Sequence, residues 1–349
     1  MAYTATERKQ RSNHLLDIRQ TEQLKGLSIF LVILGHLWVH VSTIKPALIF
    51  SGDAVSMFLI LSGYGLTISA GKAKLNFKTF ALKRLRRVMA PYWIVTLFIV
   101  LLDILLLNKI LSANSIIETF LGLNFTEETK RIDYVRWFIT FLLFWYSVFF
   151  AVHNLFPVRM RALVFIIVSI IFQLADYYIF HWMWYQYLSF PLGCIFAMYK
   201  EDILQVLADH QTRIYLILGI GLIFAILSKI ALHHEPVKDL LSRSVPNICL
   251  VYLKEASSII LGIGLILILG YIGHRGFESK LLLILGKYSY ELYLLHGVFL
   301  IKYNFFFRST NIVAIVIGLF LMISFLIYLS LVADKFMKSN TYLRTRISA

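Results

Sequence analysis

The sequence predicts an all-α bundle of about ten transmembrane helices with both ends of the chain in the cytoplasm. Three observations support this: the apolar content, the recurrence of long apolar segments, and the distribution of positive charge. Of the 349 residues, 59% are apolar and only 15% are charged, with a mean hydropathy of +0.76. A soluble domain carries about a quarter charged residues. Lipid is therefore the expected solvent over most of the surface.

Apolar segments long enough to cross a bilayer recur along the whole chain. One helical span needs about 20 predominantly apolar residues, and backbone polar groups in lipid must be bonded within their own helix. Solid apolar runs such as 312–332 lack the period-two alternation of a barrel strand, so they favour helices. The predicted spans are 26–44, 47–69, 88–107, 136–153, 162–180, 182–199, 214–232, 256–273, 281–302 and 312–332.

Positive charge sets the predicted orientation, because cytoplasmic loops collect Lys and Arg. With both termini inside, the predicted cytoplasmic segments hold 22 of the 34 lysines and arginines. The net charge of +15 is therefore interpreted as topological, with membrane lipid as the partner and no nucleic acid. This divides the chain into a cytoplasmic N-terminal segment (1–25), a transmembrane domain (26–332) and a basic cytoplasmic tail (333–349).

Two histidines lie on one face of the first predicted span. Lys25 stands at its cytoplasmic end, and eleven helical steps of about 1.5 Å place His36 about 16 Å deeper. His40 follows one turn later. An ionisable side chain at membrane depth is costly and commonly faces a cavity or pathway. Either His36 bonds a neighbouring helix and only packs, or it takes part in chemistry. The second histidine, with Gly35 beside His36, favours chemistry.

A short basic loop precedes the third span and contains Arg84, Arg86 and Arg87. Positive-inside anchoring, followed by interfacial aromatics at 91–93, explains such a loop without any ligand. The alternative is a binding site for a polyanion, since Arg binds phosphate in a bidentate manner. Coenzyme A is one such cytoplasmic ligand, and anionic lipid headgroups compete with it.

Polar residues also stand in the second and ninth spans. In the second, Ser62 and Gly63 precede Tyr64, and small residues let another helix approach closely, so packing alone explains them. The ninth span carries the polar residues Tyr288, Glu291 and His296. Lys287 and Glu291 are spaced to pair along a helix, so a structural role there is as good as a catalytic one.

Taken together, these four segments resemble the acyltransferase-3 family of membrane acyltransferases. Members carry Arg, ten residues and then His in the first helix, and a phenylalanine-rich segment ending Leu-Ser-Gly-Phe or Leu-Ser-Gly-Tyr in the second. An Arg-rich stretch precedes Pro-x-Trp, and Gly-x-x-Ser-Tyr-x-x-Tyr-x-x-His comes near the end. The corresponding segments here are 25–36, 58–64, 84–93 and 286–296. This chain departs from the pattern in having Lys25 for the usual Arg and no acid within 137–146.

The resemblance implies an O-acyltransferase of the bacterial plasma membrane. It would move an acyl group, typically acetyl, from cytoplasmic acetyl-CoA or another acyl-CoA to a hydroxyl of a cell-envelope polysaccharide or its lipid-linked precursor. By the same resemblance His36 is the catalytic residue. The candidates for holding the coenzyme A phosphates are Lys25, Arg84, Arg86 and Arg87. The candidates for lining the substrate passage are His40, Ser62, Tyr64, Tyr288, Glu291 and His296. Other proteins of an envelope polysaccharide pathway are candidate partners.

Other interpretations stay open. A transporter or exporter of a glycan or small molecule would use the buried histidines and acids as a pathway, but no inverted repeat is visible. A glycan polymerase would present a large charged outer loop, and segment 108–135 is modest. Cys194 and Cys249 fit no metal spacing, so no metal is expected. Aromatics at 182–187 indicate an interface belt, with a sugar-stacking surface as the alternative.

Overall fold

The computed structural model describes residues 16–41, 51–105, 107–181, 186–234, 246–274, 276–308 and 311–347, with the single residues 237, 240 and 244. The described residues are 85% helical and contain no strand, which confirms the all-α prediction. The helices are α1 (Ile18–Val41), α2 (Ser51–Ala70), α3 (Phe77–Arg84), α4 (Ala90–Leu105), α5 (Ala113–Phe120), α6 (Glu127–Ile132), α7 (Trp137–Leu155), α8 (Val158–Ala175), α9 (Ser189–Met198), α10 (Lys200–Asp209), α11 (Gln211–His233), α12 (Asn247–His274), α13 (Lys280–Lys287), α14 (Ser289–Gly297) and α15 (Ile312–Ile347). Leu85–Met89, Asp176–Phe180 and Val298–Lys302 are π-helical, and Tyr134–Arg136 is a 3-10 turn.

Eight helical stretches of the described chain are long and apolar enough to cross a membrane. They correspond to eight of the ten predicted spans. The sixth span, 182–199, contains only the shorter apolar helix α9, and residues 182–185 lie outside the described ranges. The ninth, 281–302, is not one continuous helix. It is divided at Tyr288 (φ −106°, ψ 16°) into α13 and α14. The sequence did not predict this break, because a hydropathy window does not register a single non-helical residue.

Several helices extend beyond their apolar parts. α1 begins at Ile18, ahead of the predicted start at 26, and α12 begins at Asn247 instead of 256. α15 continues past 332 to Ile347. The segment 233–255, which lies between two predicted spans, therefore includes the first turns of α12. Hydropathy marks only the lipid-compatible part of a helix, so polar turns at either end escape it.

The chain forms two compact units. The first comprises Met1–Gly35, Ile44–Lys83 and Phe141–Gly286. The second comprises His36–Thr43, Arg84–Thr140 and Lys287–Ala349. α1, α3, α7 and α13 each contribute residues to both units.

Close helix packing in the first unit depends on glycine. A Cβ on Gly63 of α2 would lie 2.2 Å from the carbonyl oxygen of Phe190, and one on Gly193 of α9 would lie 1.9 Å from that of Ile60. Neither position admits a side chain, so α2 and α9 touch through their backbones. This is the close approach that the Ser62-Gly63 pair predicts.

The core of the second unit is built around α14 and the π segment that follows it. Every residue from Leu292 to Leu300 is buried. These residues pack against α4, α15 and the 3-10 turn Tyr134–Arg136. His296 is part of this segment, so the most enclosed stretch of the unit carries an ionisable side chain.

Candidate functional site

Two histidines meet in the second unit. The ring centroids of His36 and His296 lie 5.2 Å apart, with the planes tilted by 40°. His36 stands in the C-terminal part of α1 and is partly buried, whereas His296 of α14 is fully buried. His36, the predicted catalytic histidine, therefore contacts His296, one of the residues predicted to line the substrate passage, although most of the chain separates the two in sequence.

The hydrogen bonding of His296 fixes its tautomer. Its Nδ1 lies 2.7 Å from the carbonyl oxygen of Tyr293. A carbonyl only accepts, so Nδ1 donates, and Nε2 of the singly protonated ring is left as an acceptor. That Nε2 atom is buried, with no hydrogen-bond partner among the described residues. His296 therefore presents an unused acceptor beside His36.

A buried ion pair lies in the same unit, at the start of α7. Arg136 donates from Nε to Asp133 Oδ2 at 3.1 Å, and the side chains of both residues are almost fully shielded from solvent. Asp133 also accepts from the backbone N–H of Val135 at 3.3 Å, which caps the 3-10 turn. The turn places the two partners three residues apart and holds the pair rigid.

The two terminal nitrogens of the Arg136 guanidinium differ in their hydrogen bonding. Its Nη1 donates to the hydroxyl of Thr96, and the group lies 4.9 Å from the centroid of the Tyr92 ring. Nη2 is buried without a hydrogen-bond partner in the part of the chain that the structure describes. A buried donor left unbonded costs about 1–3 kcal/mol. Arg136 therefore holds an unused donor, as His296 holds an unused acceptor.

Tyr293 and Gly297 join the ion pair to the histidines. The Tyr293 hydroxyl donates to the Val135 carbonyl, and its ring centroid is 5.4 Å from that of His296. A Cβ on Gly297 would lie 3.0 Å from Asp133 Oδ1 and 2.8 Å from a Val135 methyl. The Asp133 carboxylate therefore lies against the backbone next to His296. These contacts define the polar cluster: His36, Asp133, Arg136, Tyr293 and His296.

A second ion pair supports the polar cluster from the following π segment. Lys302 donates to the fully buried Asp103 and, at 2.6 Å, to the carbonyl oxygen of Ile132. The Tyr303 hydroxyl donates to Asp103 at 2.9 Å. The bond to Ile132 anchors the residue before Asp133, so it helps to fix the 3-10 turn.

Three of the four residues predicted to contact coenzyme A are arginines that lie close together in the sequence. Arg84 ends α3, and Arg86 and Arg87 stand in the π segment Leu85–Met89 of the second unit, where both are exposed. π segments inside helices are frequent at functional sites. The Tyr290 hydroxyl of α14 donates to the Val88 carbonyl at 2.9 Å, which ties this basic segment to the helix that carries His296.

The remaining predicted residues are placed as follows. Lys25, Ser62 and Tyr64 belong to the first unit, where Lys25 and Ser62 are partly buried and Tyr64 is buried. In the second unit, His40 is exposed, Glu291 is partly buried, and Tyr288 is buried at the break before α14.

Of the aromatic residues predicted to form an interface belt at 182–187, the structure describes Tyr187. Trp182, Trp184 and Tyr185 lie outside the described residues. Tyr187 is buried, with its ring centroid 5.0 Å from that of Phe141, so for this residue the interface prediction is wrong. An aromatic run has no marker that separates a core tyrosine from an interfacial one.

Asp133 and Arg136 are the polar residues of the cluster that the sequence does not single out. Arg136 is the first residue of the predicted span 136–153, where a basic residue is ordinary. The feature of the sequence that could have indicated this pair is Asp133, an acid three residues before Arg136 and directly ahead of a long apolar run. The described residues contain no group of three His, Cys, Asp or Glu that could hold a metal ion.

The fold and the polar cluster define a multi-pass helical membrane protein with ionisable side chains buried among its helices. A family model described as an acyltransferase domain matches residues 19–331. Because that match covers nearly the whole chain, the protein belongs to the acyltransferase-3 family, and it is a membrane acyltransferase. No curated protein and no solved structure matches the chain.

Proposed function

We propose that the protein is an O-acetyltransferase of the bacterial plasma membrane. It takes acetyl from cytoplasmic acetyl-CoA and passes it to a hydroxyl of a cell-envelope polysaccharide or its lipid-linked precursor. The family assignment supports acyl transfer. The contact between His36 and His296, with an unused acceptor on His296, is the observation that carries the choice of reaction centre.

His36 acts in this proposal as the general base. It removes the proton of the acceptor hydroxyl as that oxygen attacks the thioester carbonyl carbon, a step to which a positioned base contributes about 10²–10⁴-fold. His36 is only partly buried, so it remains approachable. His296, fixed by its bond to Tyr293, supports the ring from a fully enclosed position.

The donor binds through its phosphates to the basic π segment. Arg86 and Arg87 are exposed there, and Arg84 lies two residues before Arg86. Guanidinium groups match phosphate oxygens in a bidentate manner, so they suit the 3′-phosphate and diphosphate of coenzyme A. Lys25, which contributes a single point charge, is the fourth candidate.

The rival function is transport of a glycan or small molecule. The break at Tyr288 within the predicted ninth span favours it, since discontinuous helices form binding sites in many transporters. Substrate movement would then depend on the polar cluster without consumption of acyl-CoA, so the same preparation separates the two functions.

The test supplies membranes with acetyl-CoA labelled in the acetyl group and with envelope glycan from the host. We expect label in the glycan with the wild type and a loss of at least about 100-fold with His36→Ala. His153→Gln is the control, because His153 is a buried histidine of the first unit whose bond from Nε2 to the Ala73 carbonyl a glutamine amide can replace. Undiminished transfer by His36→Ala would contradict the role of His36. Absence of transfer by the wild type, with export intact, would favour the transporter.

A further inference from the structure

The unused donor of Arg136 and the unused acceptor of His296 are complementary. Both atoms are buried, and neither has a hydrogen-bond partner among the described residues. Asp133, which binds Arg136, lies against the backbone beside His296. A ligand that bonds the unused donor of Arg136 must offer an acceptor. The carbonyl oxygen of an acyl group, one of the reacting groups of acyl transfer, is such an acceptor.

We propose that Arg136 is a catalytic residue that binds the carbonyl oxygen of the acyl group through Nη2–H. This inference rests on the proposed function and assigns a residue that neither the family match nor the motif comparison names. The guanidinium is suited to the task because Asp133 and Thr96 occupy Nε and Nη1 and hold it in place. Nη2 is then the one nitrogen left for a ligand.

The chemical step follows from this placement. The hydroxyl of the acceptor gives its proton to His36 while its oxygen bonds to the carbonyl carbon. The electron pair of the C=O bond moves onto oxygen, where Nη2–H stabilises the charge. When the C=O bond re-forms, the C–S bond breaks, and the coenzyme A thiolate leaves and takes up the proton from the imidazolium. The products are the ester and the free thiol.

Burial is what makes this donor effective. A pre-oriented hydrogen bond to a developing oxyanion is far stronger where water is excluded, and loss of one such donor costs about 10²–10³-fold in kcat. Arg136 has no solvent-exposed surface. A purely structural arginine at the 3-10 turn would leave kcat per folded molecule unchanged when replaced, which provides the distinction to test.

The experiment measures kcat and KM for acetyl-CoA in the glycan transfer assay, per molecule of folded protein. We expect Arg136→Lys to lower kcat about 100-fold with KM little changed. Arg161→Lys is the matched control, since Arg161 is a buried arginine of the first unit that bonds the Phe156 carbonyl and His153, and its kcat should stay near the wild-type value.

A double variant guards against misfolding. Asp133→Asn with Arg136→Met removes both buried charges, a change that is often tolerated, and keeps the acceptor that caps the 3-10 turn. It should fold and still lose about 100-fold in kcat. A folded double variant with kcat within about threefold of wild type would overturn the role of Arg136, while loss of transfer in His36→Ala would leave the proposed function standing. If the wild type transfers no acetyl group, both proposals are wrong.

Discussion

Each unit contains a buried arginine near a buried histidine, but the two arrangements differ in completeness. In the first unit, His153 donates from Nε2 to the Ala73 carbonyl at 2.8 Å, and its Nδ1 accepts from Arg161 Nη1 at 3.2 Å. Arg161 also donates from Nε to the Phe156 carbonyl. In the second unit, Arg136 Nη2 and His296 Nε2 stay unbonded within the described residues.

The difference distinguishes a buried histidine that only holds helices together from one that has a ring nitrogen left to bind a ligand. Both nitrogens of His153 are bonded, so nothing remains for a ligand, and the ring fixes α7 to the segment around Ala73. A buried polar atom without a partner costs about 1–3 kcal/mol, and a ligand that bonds it removes that cost. One such atom is weak evidence, since six buried side-chain atoms of the first unit, Asp53 Oδ1 among them, are also unbonded within the described chain. A donor and an acceptor in the same polar cluster as His36 are stronger evidence.

The largest expected effect on stability comes from removal of Asp133. Asp133→Ala would leave the Arg136 charge buried without its counter-ion, which costs about 3–5 kcal/mol. Asp53→Ala is the comparison in the first unit. There the side chain of Lys229 is 12% exposed and can reach a more polar environment, so the loss should be smaller. Thermal unfolding in detergent measures both. Equal losses would remove the distinction between the two ion pairs.

A smaller effect is expected from a methyl group at Gly297. Gly297→Ala would place Cβ within 3.0 Å of Asp133 Oδ1 and 2.8 Å of Val135, and overpacking of this kind costs about 1–3 kcal/mol. Because the displaced group binds Arg136, transfer should fall together with stability. Gly65→Ala is the control, since nothing lies within 4 Å of its Cβ position. Wild-type transfer rates in Gly297→Ala would separate Asp133 from the reaction.

The mildest effect is expected at the basic π segment. Arg86→Ala should raise KM for acetyl-CoA about tenfold, near 1.4 kcal/mol of binding, and leave kcat unchanged, because an exposed charge acts on binding and not on the reacting atoms. The rise should shrink as salt screens the wild-type interaction. Arg159→Ala, another exposed arginine, should not change KM. Steady-state kinetics at two ionic strengths check this, and an unchanged KM in Arg86→Ala would move the donor site elsewhere.

The fold was predictable because lipid imposes it. Length and apolarity alone predict eight of the spans, since a buried backbone in lipid has to be helical. The break at Tyr288 was not predicted because one residue with non-helical geometry does not alter a hydropathy average. The start of α12 at Asn247 escaped because its first turns are only partly apolar.

The candidate site was predictable only in part. His36 and His296 each stand in a recognisable motif, but their contact depends on how α1 and α14 pack, and neither motif contains that information. Arg136 was not predicted because a long basic side chain at the end of a span is ordinarily explained by its reaching the membrane interface. Only the structure shows that its side chain turns inward to Asp133 and Thr96 and does not reach the surface.

The most direct test exchanges each histidine for the amide that keeps its structural bond. His296→Asn retains a donor near the position of Nδ1 for the Tyr293 carbonyl and removes the Nε2 acceptor, whereas His153→Gln retains the donor at Nε2 for Ala73. With transfer measured per folded molecule, His296→Asn should lose about 100-fold, because His36 loses the ring that positions it. His153→Gln should stay within about threefold of wild type. Equal rates in the two variants would contradict the assignment of the reaction centre to the polar cluster of the second unit.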